Sequence, residues 1–350
     1  MKVAILFDAL SALGASPEFL ILDTVQAVEE ILADDGATVV RIPVNPDGRW
    51  VERVRRGKFD LAFNLCEGID GVSALEPAAI GVLELFGIPY TGSSSATTSL
   101  SLRKHVVNSV LERAGLPVPA WTLSRRAAMA EPIGFPAICK PAAEDASLGI
   151  EQRSVVRSAR ALAARLKEMH TCWDEVLVQQ FVDGREVNVG ILGAEVLPVA
   201  EIDFGAMPKG MWRIVSYTSK WNVGSAEDLG ATPRCPADLP GELTTECQRI
   251  ALAAWGAVGG ASYGRVDMRI DANGQPWILE VNANPDIAPD AGLARMARAA
   301  GIEYPEMIRT VCAEAVASAP RIDVAHEWAL AERLSGAAPP LLDLLAVGQR

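Results

Sequence analysis

Residues 3–7 form an unbroken apolar run ending at Asp8 and read as a buried strand. After a loop with Gly14 and Pro17, a helical pattern runs from about 18 to 32. Gly36 then separates it from the β-branched run Thr38, Val39 and Val40. Strand, helix and strand within about 40 residues is the βαβ arrangement of a parallel sheet. A further apolar stretch at 59–65 runs into Cys66, Glu67 and Gly68. Helical patterns at 76–86 and 99–114 stop at Gly87 with Pro89 and at Gly115 with Pro117. The pattern predicts an open α/β domain over residues 1–118, bounded where Pro117 and Pro119 mark a compositional shift.

The patterning then changes. A strand at 136–140, a helix within 155–169 and strands at 176–182, 187–192 and 195–199 are predicted. Asp183-Gly184 between two of them is a hairpin signal and predicts an antiparallel element. Residues 204–240 have weak periodicity and many Gly, Ser, Pro and Lys, the mark of a functional loop. A helix at 245–258 precedes strands at 264–270 and 277–281 around the turn Asp271-Ala272-Asn273-Gly274. Helical patterns at about 290–301, 304–318 and 324–334, then Pro339-Pro340, complete the chain. The expected units are 1–118, 119–203, 204–319 and a helical extension 320–350.

Acids outnumber bases 44 to 32, a net charge of -12, which argues against nucleic acid as a partner. Half of the residues are hydrophobic and 22% are charged, which excludes a disordered chain. The apolar run at the start is too short for a signal peptide, and no run approaches about 18 apolar residues, so a cytoplasmic protein without a membrane partner is expected. Cys66, Cys139, Cys172, Cys235, Cys247 and Cys312 show no close pairing and read as reduced, mostly buried thiols. His105, His170 and His326 lack zinc spacing, and the P-loop, the dinucleotide fingerprint and the Gly-x-Ser-x-Gly elbow are absent.

The most informative cluster is Arg265-Val266-Asp267-Met268-Arg269 followed by Leu279-Glu280-Val281-Asn282. On alternating strands Arg265, Asp267 and Arg269 share a face, as do Glu280 and Asn282. If the two strands pair, Asp267, Glu280 and Asn282 converge as hard oxygen ligands suited to Mg²⁺ and phosphate. Arg265 beside them could hold a transferring phosphoryl group. Ordinary hairpin-edge charges are the bland alternative. Lys140-Pro141 before the small-residue loop Ala146-Ser147-Leu148-Gly149 is either a phosphate contact or a solvated lysine. Lys104 is a phosphate contact or a surface charge, and Lys220 closes over a substrate or merely accompanies a Trp221 core anchor.

These residues, in order, resemble the D-alanine–D-alanine ligases of the ATP-grasp superfamily. The resemblance rests on Phe63-Asn64, on Gly87-Ile88-Pro89-Tyr90-Thr91-Gly92-Ser93, on Lys104 and on Gly115-Leu116-Pro117-Val118-Pro119. It continues through Lys140-Pro141, Ser147-Leu148-Gly149, Gly184-Arg185-Glu186, Lys220, Arg265-Val266-Asp267 and Leu279-Glu280-Val281-Asn282-Ala283-Asn284-Pro285, and covers about residues 1–317. It implies an α/β ATP-grasp fold with an N-terminal open-sheet domain, and α+β central and C-terminal parts clasping ATP between two sheets. It also implies an ATP-dependent carboxylate–amine ligase working through an acyl phosphate on small substrates such as amino acids, and a homodimer. ATP and two Mg²⁺ ions, with Mn²⁺ as a substitute, are the implied cofactors.

By motif position Lys104 and Lys140 are implied phosphate ligands, under the loop of Ser147, Leu148 and Gly149. Gln179 stands where the family reads adenine with a glutamate, and Glu186 at the ribose position. Lys220 is the implied γ-phosphate lysine, Arg265 the stabiliser of the acyl phosphate, and Asp267, Glu280 and Asn282 the metal ligands. The substrate side departs from the pattern. Cys66-Glu67-Gly68-Ile69-Asp70-Gly71 lacks the family's histidine, and Glu18 is a loose match for an early substrate glutamate. Ala146 replaces a serine, Trp221 a tyrosine, Asp286 a glycine and Ala291 the serine that contacts the second amino acid's carboxylate. The expectation is therefore a ligase with another substrate pair, the alternatives being a D-alanine–D-alanine ligase and a non-catalytic ATP-binding regulatory or partner protein.

Overall fold

The computed structural model describes residues 1–10, 21–126 and 133–318. Glu18, His326, the Gly14–Pro17 loop, the 324–334 helix, the Pro339-Pro340 pair and the 320–350 extension lie outside the described residues.

The N-terminal part opens with β1 (Lys2–Asp8), α1 (Ile21–Asp34), β2 (Thr38–Val44), α2 (Arg49–Gly57) and β3 (Leu61–Asn64). The strands form a parallel sheet in the order β2-β1-β3. Both faces of β1 are buried, which is why its sequence is continuously apolar. Val3, Ile5 and Phe7 pack toward α1 and the C-terminal helices, while Ala4 and Leu6 face Trp50 and Val54 of α2. That helix was not predicted. Its nine residues carry five charges and only two buried side chains, too little for a clear periodic signal.

α3 (Glu76–Leu85) falls where expected. The predicted 99–114 helix is instead two, α4 (Ser95–Ser101) and α5 (Lys104–Arg113). The break is at Arg103, whose backbone is non-helical (φ -94°, ψ 80°), and it places Lys104 in the first turn of α5.

β4 (Trp121–Arg125), β5 (Ala137–Pro141), β6 (Val155–Val156), α6 (Ala159–Met169) and β7 (Glu175–Gln180) follow. The strands form an antiparallel sheet in the order β4-β7-β5-β6 with α6 on one face. A six-stranded sheet comes next, from β8 (Arg185–Leu192), β9 (Glu195–Val196), β10 (Ala200–Asp203), β11 (Thr232–Arg234), β12 (Tyr263–Ile270) and β13 (Pro276–Asn282). α7 (Tyr217–Trp221) and α8 (Ala226–Leu229) lie before β11, α9 (Gly241–Ala257) before β12, and α10 (Gly292–Ala299) and α11 (Tyr304–Ala317) after β13. Residues 204–240 thus hold two short helices and a strand rather than one long loop.

Two sequence expectations fail at the junction of the sheets. Asp183-Gly184 is not a hairpin turn, because β7 and β8 belong to different sheets and do not pair. Gly184 is needed for close approach instead: a Cβ there would lie 1.9 Å from the Ile270 carbonyl oxygen. The 203/204 boundary cuts through one sheet, since β10 pairs with β11 across it. Among the described residues no helix is long and apolar enough to cross a membrane.

Candidate active site

The facing surfaces of the two antiparallel sheets enclose a cavity of about 610 Å³. On β12, Val266, Met268 and Ile270 point into the core under α9, so alternation sends Arg265, Asp267 and Arg269 to the cavity side. β12 pairs with β13 as predicted, with Arg265 opposite Asn282 and Asp267 opposite Glu280. A bulge then moves the register so that Met268 faces Ile278, leaving Leu279 unopposed. Leu279 and Glu280 consequently both line the cavity, where strict alternation would have sent one of them away.

The carboxylates here are tightly partnered. Arg265 Nε donates to Asp267 Oδ1 at 2.7 Å and Nη2 to Oδ2 at 2.9 Å. Asn188 on β8 donates a third hydrogen bond to Asp267 Oδ1 at 2.6 Å. Glu280 pairs with Lys104 Nζ at 2.5 Å, and Lys104 also donates to the Glu144 carbonyl oxygen. Burial opposes the Lys104 charge, but Glu280 and Asp145 outweigh it and hold its pKa above the usual value. Burial alone would raise Glu280; Lys104 reverses that and keeps it ionised below the usual carboxylate range, while neighbouring Asp145 is pushed up by burial.

Across the cavity, Lys140 on β5 and Gln179 on β7 project from the four-stranded sheet, with Lys140 Nζ 3.2 Å from Gln179 Oε1. Burial pulls the Lys140 pKa down to about 8. Ile138, Phe181 and Ile214 form an apolar wall beside them. Glu186 on β8 is held by Arg269 at 2.7 Å, and Arg269 also donates to the Val182 carbonyl oxygen at 3.0 Å and lies over the Phe181 ring.

The 144–150 loop caps one side. Ala146 (φ 55°) and Ser147 (φ 60°) are both left-handed, as is Gly149 (φ 74°), where a Cβ would press on Trp173 and Pro141. Residues 212–221 dock onto this loop: Ser147 Oγ donates to the Val215 carbonyl oxygen at 3.0 Å and Trp221 Nε1 to that of Ala146 at 3.0 Å. Tyr217 N–H bonds the Ile150 carbonyl oxygen at 2.8 Å. Exposed Lys220 on α7 lines the cavity, its Nζ 5.0 Å from the centre of the Trp221 ring.

Of the residues singled out in the sequence, Lys140, Ser147, Gln179, Glu186, Lys220, Arg265, Asp267, Glu280 and Asn282 all line this cavity. Lys104 stands behind Glu280, and Leu148 and Gly149 lie outside the lining. Asn188, Arg269 and Asp145 were not assigned roles from sequence. Asn188 could have been found, because it stands two residues after Glu186 on the same strand face. Asp145 has no such periodic signal, since it sits on a loop.

A nucleotide-sized cavity between two antiparallel sheets, walled by lysines, arginines and paired carboxylates, belongs to an ATP-grasp fold, and the sequence relatives place it among the ATP-dependent ligases. The chain belongs to the D-alanine–D-alanine ligase family: its residues 110–313 match the family model described as "D-ala D-ala ligase C-terminus". A D-alanine–D-alanine ligase of Bordetella petrii is 34% identical over 278 residues, covering 76% of this chain and 79% of that protein. Among solved structures, the D-alanine–D-alanine ligase of Bacillus anthracis complexed with ATP superposes with a TM-score of 0.72 at 21% identity, over 91% of this chain and 98% of that one. The VanG D-Ala:D-Ser ligase of Enterococcus faecalis gives 0.71 at 20% identity, over 90% and 99%.

Proposed function

We propose that this chain is a carboxylate–amine ligase that uses ATP to form an acyl phosphate and then an amide, on substrates other than a pair of D-alanines. The observation that carries the reading is the placement of Arg265 beside Asp267, Glu280 and Asn282 on one wall of the cavity that Lys140 lines from the other. Passive nucleotide binding gives no reason for that arginine.

In this mechanism a substrate carboxylate oxygen attacks the γ-phosphorus of ATP, the bond to the bridging oxygen breaks, and ADP leaves. The amine nitrogen then attacks the acyl carbon; the tetrahedral intermediate expels phosphate and the nitrogen gives up its proton. Lys140 and the Ser147–Gly149 loop bind phosphates, and Lys220 reaches the γ-phosphate. Gln179 meets the base and Glu186, braced by Arg269, the ribose. Lys104 keeps Glu280 charged from behind. Arg265 offsets charge on the acyl phosphate and the tetrahedral intermediate, in a site already pre-arranged by Asp267.

Asp267 and Glu280 stand on directly opposed strand positions with Asn282 two residues further along β13, and the oxygens of the three make a donor set that fits Mg²⁺, or Mn²⁺ in its place. Among the described residues no cluster of three or more His, Cys, Asp or Glu forms a metal group by itself, so bound ions would draw further ligands from phosphate oxygens. Two such ions would supply charge neutralisation of the polyphosphate.

The substrate end motivates the different pair. Ala146, Trp221 and Ala291 lack the hydroxyls that the resemblance implies, while Glu67, Asp286, Asp290 and Arg295 line that region. Misplaced reacting groups are costly in rate, which disfavours the D-alanine pair. The test is release of ADP and phosphate over a panel of amino acids and small carboxylates and amines, with products identified by mass. ADP, phosphate and a new amide from another pair support the reading. D-alanyl-D-alanine as the preferred product overturns its substrate part. ADP without phosphate points to a kinase, and no substrate-dependent ADP from folded, nucleotide-binding protein points to a binding protein without turnover.

The reading also carries a three-part division with the second boundary near 183, between the two sheets, and a homodimer checked by light scattering.

A further inference from the structure

Gln179 is 0% exposed and lies on the cavity wall beside Ile138 and Phe181. Its Oε1 accepts from Lys140 Nζ at 3.2 Å, whereas its Nε2 is buried without a hydrogen-bond partner. The orientation of this amide is not arbitrary. An ammonium group only donates, so Lys140 attracts the amide oxygen and repels the NH₂. A buried N–H left without an acceptor keeps its desolvation penalty, so the wall favours a ligand that brings an acceptor.

The two polar groups at this point are then both donors with hydrogens to spare, Lys140 and the Gln179 NH₂. The slot between Ile138, Phe181, Ile214 and Leu279 suits a flat base. Purines differ at the edge such donors meet. A 6-oxopurine presents two acceptors, N7 and O6, while adenine presents the N7 acceptor beside an amino donor. At Gln179, adenine's amino group finds an acceptor only by sharing Oε1 with Lys140. An oxopurine needs no sharing and satisfies the orphaned N–H.

We infer that the base subsite accepts 6-oxopurine nucleotides alongside adenine nucleotides, with Gln179 as the specificity-determining residue. The inference rests on the reading of this cavity as a nucleotide site. It deepens that reading by widening the phosphoryl donors to ITP and GTP.

The experiment is calorimetric titration of the full chain at neutral pH with ADP, IDP and GDP, each with Mg²⁺, which involves no turnover. IDP differs from ADP only at the purine 6-position and N1. IDP or GDP binding within about tenfold of ADP is expected, whereas a mismatched base edge would discriminate by roughly tenfold or more. Gln179→Glu, which places a carboxylate against O6, should shift the ratio against IDP and GDP by about tenfold or more. ADP binding with both oxopurines weaker by more than that overturns the inference and leaves the nucleotide reading standing. Absence of binding by all three overturns both. An unmoved ratio in a folded Gln179→Glu variant overturns the assignment to Gln179. If that variant does not fold, the wild-type comparison decides alone.

Discussion

Arg265 and Asp267, two positions apart on β12, grip each other through two parallel hydrogen bonds of 2.7 and 2.9 Å. Their side chains are 24% and 14% exposed, so each is the other's main counter-charge in a partly dry cavity. Burial works against the arginine's charge, but Asp267, helped by Glu280 and Asp145, outweighs it and keeps the guanidinium protonated. Residues coupled this closely respond non-additively to substitution.

Arg265→Ala is expected to lower ligase turnover by roughly 10²-fold or more, the scale of losing one electrostatic stabiliser. Steady-state ADP release measures it, with calorimetry showing that nucleotide still binds. Near-normal turnover defeats the assignment.

Asp267→Asn keeps the shape and removes the charge. The Mg²⁺ concentration for half-maximal activity should rise by about tenfold as a hard anionic ligand is lost. A metal titration superimposable on wild type counts against Asp267 as a ligand.

Arg269 is a stability anchor. It is buried, pairs with Glu186 and donates to backbone carbonyls including that of Val182. Arg269→Met leaves Glu186 as an uncompensated, mostly buried charge, expected to cost about 3–5 kcal/mol in urea unfolding. A loss below about 1 kcal/mol, the scale of an exposed pair, contradicts this picture.

Trp221→Phe deletes the hydrogen bond to the Ala146 carbonyl oxygen while keeping an aromatic ring. The expected cost is about 0.5–1.5 kcal/mol. Amide exchange should speed up in 144–150 and 212–221 before it does in β12 and β13, because those two segments hold each other closed. Uniform acceleration across the chain indicates a different role for the indole.

All six cysteines are free. Burial pushes the Cys247 thiol up to about 11, those of Cys139 and Cys312 up to about 12, and that of Cys66 well above its usual value. At mildly alkaline pH these four stay protonated and inert, because the thiolate is the reactive form. Exposed Cys172 should label first with a thiol reagent in the native state, and half-buried Cys235 second. Fast labelling of four or more thiols refutes this burial pattern.

The strands carrying Arg265, Asp267, Glu280 and Asn282 are legible in the sequence, and so are the βαβ opening and α9. Each rests on a period of 2 or 3.6 residues, and such periods arise from sterics and burial acting over a few neighbouring positions. β4 and α2 escaped notice because β4 has only Ser124 buried among its five residues and α2 is short and mostly charged. Asp183-Gly184 has a turn's composition yet carries the chain from one sheet to another. Long-range chain path settled the remainder: Lys104 against Glu280, Lys140 on Gln179, the bulge that turns Leu279 inward, and Trp221 over Ala146. Those partners come from distant segments, and no local period encodes which two will meet; loop closure and the packing of one sheet over another select them.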